Sequence, residues 1–233
     1  MKKNKLILLI AILAVGTAAV YAFATSSTET ETAPVQNSET VASINAAQQS
    51  LKGKILIAYF TSPETDGVDA VAGASRVIVD EKLYSNTQYI AELIQEATGA
   101  DIFQIKTVKA YPGTHKELVD YAKVENENKA RPRLSTHIDN LADYDIVFIG
   151  FPNWWYDMPM PMYSFFEEYD FTGKTIIPFN THGGSRFSSA IKTITELEKG
   201  ATVIKKGLPI SRESVDKAKP TVIKWLSDIG ITK

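Results

Sequence analysis

Downstream of residue 51, apolar and polar positions follow two alternating periods. Residues 54–60 (KILIAYF) form a compact apolar run, dense enough for a strand buried on both faces. Across Asn86–Thr98 the apolar positions Ile90, Leu93, Ile94 and Ala97 recur at helical spacing, and Gly99 stands where a left-handed helix cap belongs. The same reading predicts strands at 101–106, 145–150, 175–180 and 202–205. It predicts helices at 114–129, 160–168, 187–197 and 213–229. Strands alternating with helices imply an α/β domain over residues 52–233, with a parallel sheet, helices on both faces and right-handed crossovers.

The N-terminal fifth of the chain has a different character. Lys2, Lys3 and Lys5 precede an uncharged stretch from Leu6 to Ala24 that ends in Ala22-Phe23-Ala24, a small-x-small cleavage pattern. Residues 1–24 therefore read as a secretory signal peptide, or as an uncleaved membrane anchor, since the uncharged stretch is long enough to span a bilayer. Either reading places the remainder outside the cytoplasm, secreted or anchored. Residues 25–51 are rich in Thr, Ser, Glu, Gln and Ala with no sustained apolar period, the composition of a disordered linker.

Charge and cysteine content remove several function classes. The chain carries 25 basic and 27 acidic residues, and cleavage after Ala24 would remove three of the lysines and no acid. Such an acidic remainder lacks the basic face that nucleic acid requires. It gives no attraction to acidic membrane surfaces either, so membrane association would run only through the N-terminal segment. There is no Cys, which excludes disulfides, thiolate catalysis, Cys-ligated zinc and iron–sulfur clusters. His115, His137 and His182 are the only histidines and form no H-x-x-x-H pair, so no metal site is expected.

In open α/β sheets ligands bind beyond the carboxyl ends of the strands, where strand order reverses. The loops after the first, third and fourth predicted core strands each have unusual chemistry. The first begins Thr61-Ser62-Pro63, and the following helix opens with Ser85-Asn86-Thr87. Hydroxyls and an amide at a helix N-terminus suit a phosphate, although Ser85 or Asn86 could equally serve as an ordinary helix cap. No Walker A or dinucleotide fingerprint is present. The second loop, Pro152-Asn153-Trp154-Trp155-Tyr156, presents three consecutive aromatics. In extended backbone these would point to alternate sides, leaving at least one to cover a flat ligand or to pack on the next helix. The third, Thr181-His182-Gly183-Gly184, offers backbone N–H groups that could approach ligand carbonyls, or a tight turn. His182 is either a proton donor near neutral pH or a surface histidine. Gly183-Gly184-Ser185-Arg186-Phe187 lacks the last glycine of a nucleophile elbow, which argues against a hydrolase.

The succession Ala58-Tyr59-Phe60-Thr61-Ser62, Ser85-Asn86-Thr87, Gly150-Phe151-Pro152-Asn153-Trp154-Trp155 and Thr181-His182-Gly183-Gly184-Ser185 resembles the flavodoxin-like family. It is most similar to the branch with a GxPxWW loop, and residues 170–179 (DFTGKTIIPF) also resemble that branch. The resemblance implies a three-layer sandwich with a five-stranded parallel sheet in order 2-1-3-4-5 and FMN at the switch point. It assigns the FMN phosphate to Thr61, Ser62, Ser85, Asn86 and Thr87. It assigns the isoalloxazine to Pro152, Asn153, Trp154, Trp155 and Tyr156 on one side and to Thr181, His182, Gly183 and Gly184 on the other.

One departure stands out. The family's continuous T/S-x-T-G-N-T phosphate loop is interrupted here by residues 63–84, and Ser85 replaces its usual glycine. The insertion either preserves the phosphate pocket, abolishes it, or folds over the flavin edge and selects partners. The flavin, not a side chain, would carry the chemistry. The implied function is electron transfer or flavin-dependent oxidoreduction with a redox partner protein or a small quinone-like acceptor. The alternative is a non-redox binding module that has lost FMN.

Overall fold

The computed structural model describes residues 51–65 and 75–231. The expected signal or anchor, the linker up to residue 50 and part of the insertion lie outside the described residues. Among the described residues no helix is long and apolar enough to cross a membrane.

The central strands are β1 (Ile55–Phe60), β4 (Asp101–Ile105), β5 (Ile146–Pro152) and β6 (Thr175–His182). All pair in parallel, in the order β4-β1-β5-β6. The fifth position is shared by two short strands. β7 (Thr202–Val203) pairs the start of β6, and β8 (Leu208–Ser211) pairs its end. The expected 2-1-3-4-5 order is therefore present, with its outermost strand broken in two. β8 is invisible to periodicity because it has four residues and contains Pro209, which lacks an N–H and is tolerated only at a sheet edge.

Alternating side chains of the central strands build two cores. Ile57, Tyr59 and Phe148 face α1 (Asn86–Thr98) and α5 (Lys219–Asp228), where Ile90, Ile94, Val222 and Trp225 meet them. Leu56, Ala58, Val147 and Ile149 face α3 (Met160–Glu168) and α4 (Ala190–Leu197), through Phe165, Phe166 and Ile194. The remaining helix, α2 (His115–Glu127), packs on α3. Gly99 closes α1 with φ 73°, its N–H donating to the Gln95 carbonyl at 2.7 Å, as the sequence predicts.

Three elements differ from expectation for local reasons. The last predicted helix is split into a 3-10 turn, Arg212–Lys217, and α5, because Pro220 has no N–H to carry the ladder onward and sits instead in a new first turn. α4 starts at Ala190 rather than Phe187, since Ser188 holds a left-handed φ of 48° that a helix cannot accommodate. The described part of the insertion contains an antiparallel hairpin, β2 (Arg76–Val79) with β3 (Lys82–Ser85). Its tip residues Asp80 and Glu81 both have positive φ, the requirement of a type I′ turn, but they are not the Asn-Gly pair that announces one in sequence.

Candidate functional site

The loops after β1, β5 and β6 converge with the start of α1 on a cleft of about 330 Å³. That is the lower end of the usual range for small-molecule sites. Of the residues singled out from sequence, the first loop contributes Thr61 and Ser62 and the helix contributes Asn86 and Thr87. Pro152 to Tyr156 line it from the second loop, and Thr181, His182 and Gly183 from the third. Ser85 and Gly184 are not among the lining residues.

At the helix end, the Asn86 N–H donates to the Ser75 carbonyl at 2.7 Å. This bond ties the hairpin to the start of α1. Ser85 occupies the cap position, yet its side chain makes no cap hydrogen bond and the first turn carries no acid. The simple capping explanation of Ser85 therefore fails. A helix of 13 residues opens into a cleft with its dipole unanswered by a side chain at that position. Thr87 is completely buried and its hydroxyl shares a 2.8 Å hydrogen bond with Thr181, joining the α1 end of the cleft to the loop after β6.

The aromatic loop is a turn, not an extended segment. Trp154 and Asp157 exchange both backbone hydrogen bonds at 3.0 Å, and the central pair Trp155 and Tyr156 have φ of 51° and 64°. Left-handed backbone costs a non-glycine residue roughly 1–2 kcal/mol, so two bulky aromatics in succession are held there by their surroundings. Asp157 locks the turn, accepting from the Met158 N–H at 2.8 Å and the Tyr163 hydroxyl at 2.7 Å. The Trp155 indole N–H donates to the Val119 carbonyl of α2 at 3.1 Å, and the Lys123 ammonium lies 5.6 Å from its ring centre. Trp154 turns inward, edge-on to Phe60 and Tyr111. Trp155 and Tyr156 remain 42% and 68% exposed, so the strain presents two aromatic rings at the rim.

The third loop is clamped by two asparagines. The Arg186 carbonyl accepts from the Asn180 amide at 2.6 Å and from the Asn153 amide at 2.7 Å. Asn153 also donates its backbone N–H to Thr181 at 2.8 Å. Loops two and three thus share one hydrogen-bonded frame, which fixes the cleft's width at that end.

His182 accepts the Gly184 N–H at Nδ1, 2.9 Å away, so its proton sits on Nε2. Burial, assisted by the Arg186 charge, lowers its pKa below the ordinary 6.5. Because the folded value lies below the unfolded one, the unfolded chain takes up the proton first. The contribution of this histidine to stability is complete above pH 6.5 and is lost as pH falls through the folded value. An NMR titration of the His182 ring is expected to give a midpoint below 6.5, and one at or above 6.5 would contradict the bond to Gly184.

Sequence reasoning missed several lining residues. Glu64 is only 3% exposed, and its carboxylate lies 2.8 Å from Nδ1 of His115 on α2. Its backbone N–H donates to the Ser75 hydroxyl at 2.8 Å. These bonds pin the first loop to α2 and to the hairpin. Leu118 and Ala122 give the cleft an apolar side from α2, and their spacing of four was a readable signal. Ser185 belongs to the third loop and its motif but was not assigned a role, whereas Ser75 and Arg212 carried no local signal, since only the long-range fold brings them to the cleft.

The flavodoxin family profile matches residues 82–229. The chain is similar to the structure of a candidate flavoprotein from Bacteroides uniformis, at 30% identity over 76% of this chain and 99% of that one, with a TM-score of 0.60. A second candidate flavoprotein, from Bacteroides eggerthii, is 24% identical over 78% and 100%, with a TM-score of 0.59. A flavoprotein from Lactobacillus acidophilus in complex with FMN has the same fold at 20% identity over 71% and 98%, with a TM-score of 0.51. No curated protein matches. With well over half of its length matched by the family profile, and its strand order and loop positions in agreement, this chain belongs to the flavodoxin family.

Proposed function

We propose that this chain binds FMN in the cleft at the ends of β1, β5 and β6 and acts in electron transfer outside the cytoplasm. The observation that carries the reading is the pairing, within one cleft, of the start of α1, whose cap side chain makes no cap bond, with a strained aromatic turn that projects rings at the rim. The positive end of a helix dipole fits a phosphate, and exposed aromatic faces fit a flat ring system. The donor set therefore suits FMN, which a similar flavoprotein binds.

In this reading Thr61, Ser62, Asn86 and Thr87 hold the phosphate. Trp155 and Tyr156 cover the ring system, with Pro152 and Asn153 beside them. Thr181, His182 and Gly183 approach its polar edge. FMN supplies reversible electron transfer when bound, and the protein contributes orientation, shielding and electrostatics. Because Nδ1 of His182 already accepts from Gly184, its Nε2 is the ring nitrogen left to donate to the site, and burial lowers the pKa of the ring. Export rests on the lysine-flanked uncharged segment ending in Ala22-Phe23-Ala24. The electron partner would then be a membrane redox protein or a quinone-like acceptor.

Titrating the purified full-length chain with FMN, followed by flavin fluorescence, tests the reading. Saturable quenching at micromolar FMN is expected, with about tenfold weaker binding for Trp155→Ala, the scale of a lost aromatic stacking contact. No binding at micromolar FMN would overturn it in favour of a non-redox binding module.

A further inference from the structure

Resting on the FMN reading, the geometry points to Arg212 as the cation that holds the FMN phosphate, a role performed in this chain by a residue far from the family's phosphate loop. Three observations converge on it.

The first is delivery. β8 pairs β6 in a register that sets Ser211 opposite His182, so the chain leaves the sheet beside the third loop and Arg212 is the next residue. It opens the 3-10 turn Arg212–Lys217, whose start is fixed by the Ser211 hydroxyl accepting from the Glu213 N–H. That turn packs against α1 and against β2 of the inserted hairpin, the elements that frame the α1 end of the cleft.

The second is placement. Half-buried Arg212 lines the cleft together with Ser75, Asn86 and Thr87. A Cβ at Gly183 would lie 3.7 Å from three atoms of its guanidinium group, so the group rests against the glycine backbone at ordinary contact distance. The aromatic turn is braced on a different element, through Trp155 and Val119 of α2.

The third is charge. Among the described residues the Arg212 side chain makes no hydrogen bond or ion pair, and it is the only permanent cation lining the cleft. The only acid in the lining, Glu64, is hydrogen-bonded by His115. A guanidinium group in such a cleft favours an anion. Its planar fork matches a phosphate in two-point contact, and the start of α1 adds the same sign of potential. The substitution has a structural logic: where residues 63–84 interrupt the phosphate loop, a charged side chain supplies the attraction that a continuous loop would otherwise provide.

The test compares FMN with riboflavin, which lacks the phosphate, on the full-length wild type, Arg212→Gln and Arg212→Lys, by fluorescence titration at low and high salt. For Arg212→Gln we expect FMN binding weaker by about ten- to a hundredfold and riboflavin binding unchanged, the range for a charge-assisted contact. Arg212→Lys should recover part of the loss, because it keeps charge but not the fork. The preference of the wild type for FMN over riboflavin should shrink with salt, and that salt dependence should vanish in Arg212→Gln. Equal losses for both flavins would show a merely structural role and overturn the proposal, as would no loss for either. Wild type that binds both flavins while Arg212→Gln is unaffected defeats this proposal alone. Wild type that binds neither defeats the FMN reading with it. If Arg212→Gln does not fold, judged by its circular dichroism, the partial recovery and salt dependence in Arg212→Lys decide the matter.

Discussion

Adding one methyl group at Gly150 is expected to destabilise the fold by about 3 kcal/mol, the upper part of the usual range for overpacking a core. Gly150 lies on the central strand β5, opposite Phe179 on β6. A Cβ there would fall within 2.7 Å of three carbons of the Phe179 ring. That ring is completely buried between Gly150 and the helices of the first core, so it cannot swing away into solvent. For a domain of this size, 3 kcal/mol corresponds to a fall in melting temperature of roughly 6–12 °C. Thermal unfolding of Gly150→Ala measures it. The mechanism is checked by Gly150→Ala combined with Phe179→Leu, which removes the ring that the methyl group strikes. The pair should be less destabilised than the two single changes summed, because they share one contact. Strict additivity would mean that the methyl acts elsewhere.

Asn180→Asp should be comparably damaging and also pH-dependent. The Asn180 side chain is completely buried, and its amide donates to the Arg186 carbonyl that anchors the third loop. The isosteric carboxylate loses that donor and turns an oxygen toward the carbonyl instead. A buried charge without a partner costs about 3–5 kcal/mol near neutral pH. Burial would raise the folded pKa of the new carboxyl above its unfolded value of about 3.9. The unfolded chain therefore ionises first as pH rises. The ionisation penalty is absent below about pH 3.9 and grows until the folded value is passed. Urea unfolding should show a larger gap from wild type at pH 8 than at pH 5, and a gap independent of pH would argue against a buried charge as the cause. FMN affinity should fall as well, since Asn153 alone would then hold the Arg186 carbonyl.

Both predictions concern positions that the sequence marks only weakly, and the site follows the same division. The apolar runs of β1, β5 and β6 and the helical spacing of Ile90, Leu93 and Ile94 were legible because burial on a strand or helix imposes a local period. The loop chemistry was legible because strand ends locate ligands in such sheets, and twelve of the fourteen residues singled out do line the cleft. Ser85 and Gly184 stand outside its lining, although each adjoins residues that do line it.

Conformation within the loops was not legible. Trp154, Trp155 and Tyr156 look like an extended aromatic run, yet they form a turn with two left-handed residues. The bonds that Asp157 accepts from Met158 and Tyr163 to enforce this span only a few residues but have no periodic signature. The hairpin tip Asp80-Glu81 escaped notice for the same reason.

The sequence by itself determined the layer architecture, the core strands and the ends at which chemistry collects, since each depends on side-chain patterns within one element. Only the tertiary structure decided that the outer strand is split, that Glu64 pairs with His115, and that Ser75 and Arg212 join a cleft whose other residues lie far from them in the chain. Those outcomes follow from which loops the folded sheet brings together, and hydrophobic periodicity records the face a residue buries, not the distant loop it meets.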